Sequence, residues 1–265
     1  MDRGADTVSR IPTAITFPIA ILFDVDGALI STGGAGTRSW RWAFERLHGI
    51  PADIGEFSEA GMTDPVVARR TFRSVIGREP AEREMARLLA AYLERLPEEV
   101  ENSESYQVLP GAEELLRRLG EGGLLLGIVT GALEAAAHIK LSRARLNRFY
   151  SFGGYGSDSE DRTELTRRAI ERAGAILGLK LAPARVYAVG DTPKDIEAAR
   201  GVDAVAVRGR LRPLLDRGSE PGRRGHRSAF PRGADARARV GLDEGLTDRC
   251  FARSSATPPA SVLTG

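Results

Sequence analysis

Cysteine is nearly absent: Cys250 is the single one among 265 residues. That excludes an internal disulfide framework, and no Cys/His cluster is available to hold zinc. Long apolar runs are missing too. The longest, residues 14–23, has ten positions and contains Thr16 and Pro18, whereas a membrane-spanning helix needs roughly 20. The acidic Asp24-Val25-Asp26 follows it where a secretory leader would carry small residues for cleavage. The expectation is a soluble, cytoplasmic protein with no membrane partner. No internal repeat is present. Net charge is low, +2, but unevenly spread. Residues 1–207 carry 26 Lys/Arg against 30 acids, and residues 208–265 carry 12 arginines against 6 acids. The basic character therefore belongs to the last stretch and says nothing about the partners of the main body. Those arginines also lack the interleaved aromatics that stack on single-stranded nucleic acid, which argues against a nucleic-acid partner.

What the sequence does have is alternation. Ile19-Ala20-Ile21-Leu22-Phe23, Leu124-Leu125-Leu126-Gly127-Ile128-Val129, Val186-Tyr187-Ala188-Val189 and Ala204-Val205-Ala206-Val207 are almost continuously apolar. Such runs suit strands buried on both faces of a parallel sheet. Between them, residues 112–119, 132–146 and 163–177 read as helices, the last with Leu165, Ala169, Ala173, Ile176 and Leu177 on one stripe. The fold class is α/β, a Rossmann-like parallel sheet with helices on both faces. Residues 36–105 break the rule, carrying helical patterns only. Trp40, Ala43, Phe44 and Leu47 mark one helix, with Trp40 in its core and Trp42 on its surface. Met85, Leu88, Leu89, Tyr92, Leu93 and Leu96 mark another. Thr63 or Asp64 before Pro65 is a helix start. This is an all-helical insertion after the first strand. The domain plan is an N-terminal extension (1–18), an α/β core (19–35 and 106–207), a helical cap (36–105) and a basic tail (208–265). Neither apolar period survives in that tail, so it reads as disordered or aberrant, apart from a turn near Leu211 and Leu215.

Polar groups stand directly after three of the apolar runs: Asp24-Val25-Asp26-Gly27, Thr130-Gly131 and Gly190-Asp191. In open parallel sheets the carboxyl ends of the strands form the ligand crevice, so these residues would converge. Asp24, Asp26 and Asp191 would then need a cation to offset their repulsion, and oxygen ligands of this kind suit Mg²⁺ shared with phosphate. Thr130 adds a hydroxyl, and the amides from Gly131 onward open a helix whose N-terminus attracts anions. Gly27 allows a tight exit from the strand. A carboxylate nucleophile, a divalent cation and an anion cradle together describe phosphoryl transfer. Gly33-Gly34-Ala35-Gly36 lacks the Lys-Ser/Thr ending of a P-loop and is read as the hinge into the cap.

These motifs resemble the haloacid dehalogenase superfamily, in the phosphatase branch with phosphoglycolate phosphatase and β-phosphoglucomutase, over about residues 19–207. Asp24-Val25-Asp26-Gly27 matches its first motif, Thr130 its second, and Gly190-Asp191-Thr192-Pro193-Lys194-Asp195 its last. The resemblance implies that Asp24 is the nucleophile and that Asp26 is the acid and base. It further implies Mg²⁺ on Asp24, the carbonyl of Asp26 and Asp191, with Asp195 behind them. An acid at Asp26 fits a phosphatase and not a dehalogenase. Gly27, Thr130, Gly131 and Thr63 are the candidate substrate contacts, although for Thr63 a helix cap is the stronger reading.

The sequence departs from the family pattern three times. Ala28 replaces a usual Thr. The family's cationic Lys has no counterpart, and Arg162 is the candidate in its place, since Lys140 and Lys180 do not sit just before that helix. The family continues beyond residue 207 with a helix, a strand and a terminal helix, none of which residues 208–265 suggest. His138 reads as a helix-surface or packing residue, and Lys194 as facing either the crevice or solvent. The expected activity is Mg²⁺-dependent hydrolysis of a small phosphorylated metabolite, phosphoglycolate being the natural first guess. The alternatives are a phosphomutase or a catalytically weak anion-binding or nucleic-acid-binding relative.

Overall fold

Strand β1 (Ala20–Phe23) is buried at every position, because it is the middle of five. A computed structural model of the protein describes residues 19–208. It shows a sheet in the order β5-β4-β1-β6-β7, with β4 (Leu125–Thr130), β5 (Gly153–Tyr155), β6 (Val186–Gly190) and β7 (Val205–Arg208). All four pairings are parallel. The residues of β1 alternate between two cores, as the two-residue repeat of a strand requires. Ile21 and Phe23 join Leu126 and Ile128 under α4 (Ala112–Glu121) and α5 (Glu134–Ser142). Ala20 and Leu22 join Val129, Val186 and Ala188 under α6 (Arg162–Leu177) and α7 (Pro193–Gly201). The expected α/β class with helices on both faces is the observed one.

Three helices, α1 (Ala35–His48), α2 (Asp64–Ile76) and α3 (Glu82–Glu101), form the inserted cap. It buries Phe44, Phe72, Leu88 and Leu96, in a cluster continuous with Ile21 and Phe23 of the sheet. There Trp40 stacks on Tyr92 with ring centroids 4.1 Å apart. The chain enters and leaves the cap through a two-stranded antiparallel clasp, β2 (Ile30–Ser31) against β3 (Gln107–Val108). Leu109 N–H donates to Leu29 O at 2.8 Å beside it. No helix among the described residues is long and apolar enough to cross a membrane.

Several local expectations are corrected. Ile176 and Leu177 are exposed, at 51% and 37%. A 16-residue helix is about 24 Å long, while the strands it packs on, of six and three residues, reach about 20 and 10 Å, so the last turn of α6 overhangs the sheet. The expected helix over 132–146 is shorter, ending at Ser142 and followed by a 3-10 turn, Leu146–Phe149. β5 and the clasp were not anticipated. The N-terminal extension at residues 1–18 lies outside the described residues, as does the basic tail apart from Arg208.

β5 depends on having no side chain at Gly154, where an added Cβ would collide with the backbone oxygen of Leu165 in α6. Gly154→Ala is expected to cost about 2–3 kcal/mol by overpacking, a loss of roughly 5–10 °C in Tm. An unchanged thermal unfolding curve would show that α6 can shift away.

Candidate active site

The register of the sheet assembles the crevice. Phe23 lies opposite Ile128 and Val189, so the residues just beyond these strands emerge at one edge. Asp24 N–H donates to Val189 O at 2.9 Å, and Asp24 itself is only 6% exposed. Burial pushes its carboxyl up to about 7, Arg162 opposing that shift and Asp195 and Asp26 adding to it. The chain then turns sharply. Gly27 has φ +81°, and its N–H donates to Ile30 O at 2.9 Å. A Cβ on Gly27 would lie 2.6 Å from Asp191 Oδ2, so glycine is what lets the loops after β1 and β6 touch.

Asp24, Asp191 and Asp195 each place a carboxylate oxygen within 4.8 Å of the other two. Asp195 is held twice. Its Oδ2 accepts from Thr192 N–H at 3.0 Å and from the Thr192 hydroxyl at 2.7 Å, in a capping box at the start of α7. Its Oδ1 accepts from Arg162. Arg162 begins α6, whose N-cap is Asp161. Its guanidinium also lies 3.5 Å from Asp24 Oδ1 and donates to Gly61 O of the cap at 3.3 Å. Burial alone would lower the Arg162 guanidinium, but Asp24 and Asp195 together raise it. One buried cation therefore joins the expected nucleophile, the expected supporting carboxylate and the cap.

Thr130 closes β4 and is 2% exposed, its Oγ1 accepting from Ala132 N–H at 3.3 Å. Next to it, Gly131 O accepts from Asp64 N–H at 2.7 Å. An added Cβ on Gly131 would collide with Met62 O. The cap loop ending at Thr63 thus seats on the expected anion cradle. The first amides of α5 are partly taken from within the protein. Leu133 N–H donates to Asp64 Oδ2 at 3.0 Å, and Glu134 N–H to Ser157 Oγ at 3.2 Å. Thr63 occupies the N-cap position of α2, yet its side chain makes no capping bond. It is 1% exposed, and its Oγ1 has no hydrogen-bond partner among the described residues.

The sequence reading missed a second cation. Lys140, set aside as a counterpart of the family lysine, is buried on α5, and its Nζ donates to Asp26 Oδ2 at 2.6 Å. Burial would lower its ammonium, but Asp26, Tyr92 and Asp64 hold it well above the ordinary range. Asp64 is pushed up by burial, opposed by Lys140 and the Leu133 amide. The signal was present in the sequence: Lys140 falls four residues after Ala136 and three after Ala137, on the buried stripe of α5. Lys194 faces the cap, 3.5 Å from Glu59. His138 pairs with Asn147 at 3.0 Å and does not reach the crevice loops through any hydrogen bond. Lys180 lies in the turn after α6, beside Leu179 and Leu181 in a separate surface cavity of about 760 Å³.

A family profile described as haloacid dehalogenase-like hydrolase matches residues 20–203. No curated protein matches the chain. Among solved structures, a hydrolase from Pseudomonas syringae is 22% identical with a TM-score of 0.55, covering 72% of this chain and 84% of its own. CbbY from Rhodobacter sphaeroides in complex with phosphate is 18% identical with a TM-score of 0.57, covering 76% and 92%. β-Phosphoglucomutase from Clostridium difficile is 18% identical with a TM-score of 0.57, covering 72% and 84%. Likeness at these identities speaks to the fold.

Proposed function

The chain belongs to the haloacid dehalogenase-like hydrolases, and from that premise we propose that it hydrolyses small phosphomonoesters through an aspartyl-phosphate on Asp24. The observation that carries the reading is the meeting of Asp24, Asp191 and Asp195 within 4.8 Å at the carboxyl edge of the sheet. Arg162 contacts Asp24 and Asp195, where it would meet the phosphoryl group. In the first half, an Asp24 oxygen bonds to phosphorus, the bond from phosphorus to the ester oxygen breaks, and Asp26 gives that oxygen its proton. In the second half, water attacks phosphorus and gives its proton to Asp26. The phosphorus–Asp24 bond breaks, and inorganic phosphate leaves with both carboxyl groups restored.

A divalent cation fits the residues present. Three close carboxylates outnumber the one guanidinium among them, and the missing Cβ of Gly27 keeps two of the loops in contact. Asp24, the main-chain carbonyl of Asp26 and Asp191 would hold Mg²⁺, with Asp195 orienting that set. Bound there, the ion supplies positive charge against the nucleophile and the phosphoryl oxygens. Thr130 and the Gly131 loop would take the remaining phosphoryl oxygens, and Thr63 would meet the substrate from the cap side. The cap loop seated on Gly131 would keep bulk water from the aspartyl-phosphate. The phosphate complex of the Rhodobacter sphaeroides neighbour supports a small phosphorylated substrate, with phosphoglycolate and sugar phosphates as the first candidates.

The test is hydrolysis of 4-nitrophenyl phosphate with Mg²⁺ and with a chelator. Turnover is expected with the metal only, and activity that survives chelation would remove the metal from the proposal. Incubation with a hexose phosphate separates hydrolase from mutase, free phosphate being the expected product and an isomerised ester the contrary one.

A further inference from the structure

Each aspartate of the Asp24-Val25-Asp26 loop has its own buried cation. Arg162, on α6, faces Asp24 and Lys140, on α5, faces Asp26, from opposite faces of the sheet. The second pair is the one that no comparison assigns. Lys140 lies on the α5 stripe that otherwise buries Ala136, Ala137 and Leu141. An ammonium there is costly, and an apolar residue of similar size would serve the packing at least as well. What the ammonium does touch is defined: Oδ2 of Asp26 at 2.6 Å. The Asp26 side chain is 43% exposed while that of Lys140 is 8% exposed, so the lysine grips the carboxylate from the protein side and leaves part of it open to the crevice.

The grip is tied to the cap. Asp64 at the start of α2 lies in the electrostatic neighbourhood of Lys140, and it is fixed to the core by two hydrogen bonds, to Gly131 O and from Leu133 N–H. Tyr92 of α3, 1% exposed, lies in the field of Asp64, Lys140 and Asp26. Two cap helices therefore close over the lysine that holds Asp26.

We infer that Lys140 is a positioning residue, anchoring Oδ2 of Asp26 under the closed cap so that the other oxygen exchanges the proton with the reacting ester oxygen and then with water. This rests on the proposed function, because it assigns Lys140 to the acid–base half of that chemistry. It predicts a dependence on the leaving group that a purely structural lysine would not give. Phenyl phosphate needs a proton on its departing oxygen, whose conjugate acid has a pKa of about 10, like tyrosine. The nitro group of 4-nitrophenyl phosphate stabilises the departing anion, so that ester needs little help.

The experiment compares Lys140→Met with the wild-type protein on both esters in saturating Mg²⁺. The expected result is a loss in kcat/KM of about 10²-fold for phenyl phosphate and less than about threefold for 4-nitrophenyl phosphate. kcat should fall alike for both, since the water step is shared. In an Asp26→Asn background the lysine substitution should add almost nothing, as expected of two residues acting through one contact. Equal losses in kcat/KM for the two esters, or additive losses in the double variant, would overturn the role of Lys140 and leave the proposed hydrolysis intact. Wild-type protein inert toward both esters would instead bring down the proposed function, and this inference with it. If Lys140→Met does not fold, Lys140→Arg keeps the charge but moves the donor. It should then show the same selectivity between esters at smaller size, and even losses there would also overturn the role.

Discussion

Asp24→Asn is expected to reduce hydrolysis of any phosphomonoester by at least about 10⁴-fold, the scale on which removal of a catalytic nucleophile acts. At the same time the metal-free protein should become more stable. The two effects share a cause. Burial holds the Asp24 carboxyl near 7 against an ordinary 3.8, so the folded state resists the ionised form that the chemistry needs. A carboxyl raised on folding binds its proton more tightly in the native chain, and stability falls as pH rises through the window between the two values. Wild-type protein should therefore lose ground to Asp24→Asn between about pH 4 and pH 7, with a constant gap above. That gap should be on the order of 2–4 kcal/mol. Paired unfolding curves in chelator at pH 4.5, 6 and 8 measure it. Retained turnover would remove Asp24 as the nucleophile. A gap that does not widen with pH would mean that Arg162 compensates the charge fully.

Arg162→Ala should produce the largest loss of stability of any single change at the crevice. Its guanidinium is the described cation in contact with both Asp24 and Asp195, which are both buried, and it also reaches the cap at Gly61. Taking one partner out of a buried charge cluster costs about 3–5 kcal/mol, because the opposite charges stay behind. Activity should fall by about 10³-fold, as when a preorganised electrostatic contact to the reacting group is lost. Arg162→Lys keeps the charge, but a single ammonium cannot reach two carboxylates and a cap carbonyl together. It should regain much of the stability and less of the activity. Added Mg²⁺ should raise the Tm of Arg162→Ala more than that of the wild type, since the dication would meet carboxylates with no other cation between them. Equal Tm gains would indicate that the ion binds away from Asp24.

The long apolar strands were legible because a strand buried on both faces can hardly be anything but apolar. That is why β1, β4, β6 and β7 stood out and why Asp24, Thr130 and Asp191 could be expected at one edge. β5 could not be read this way. Its Gly153-Gly154 carries no apolar side chain, and its place in the sheet comes from close backbone approach to α6, which lies far away in sequence. The clasp strands, two residues each, are too short for any period. At the crevice, residues that follow a strand announce themselves, whereas Lys140 and Asp64 act from helices and looked like ordinary helix residues. Lys140 was weighed only against the position of a family motif. Its own place on an apolar stripe was the better guide.

The central position of β1 has a consequence for how the molecule comes into being. The strand leading into Asp24 is among the first described residues to leave the ribosome, yet its two partners begin at Leu125 and Val186. Contacts that distant carry a large loop-closure cost and form late. The three cap helices need only neighbours within about 70 residues and can gather first. A nascent chain halted before β6 would thus carry a finished lid above an unpaired, aliphatic strand edge, a species prone to stick to its own kind. The later of the two partners of β1, β6, is also the one that delivers Asp191, so the chemistry can begin only after it has docked.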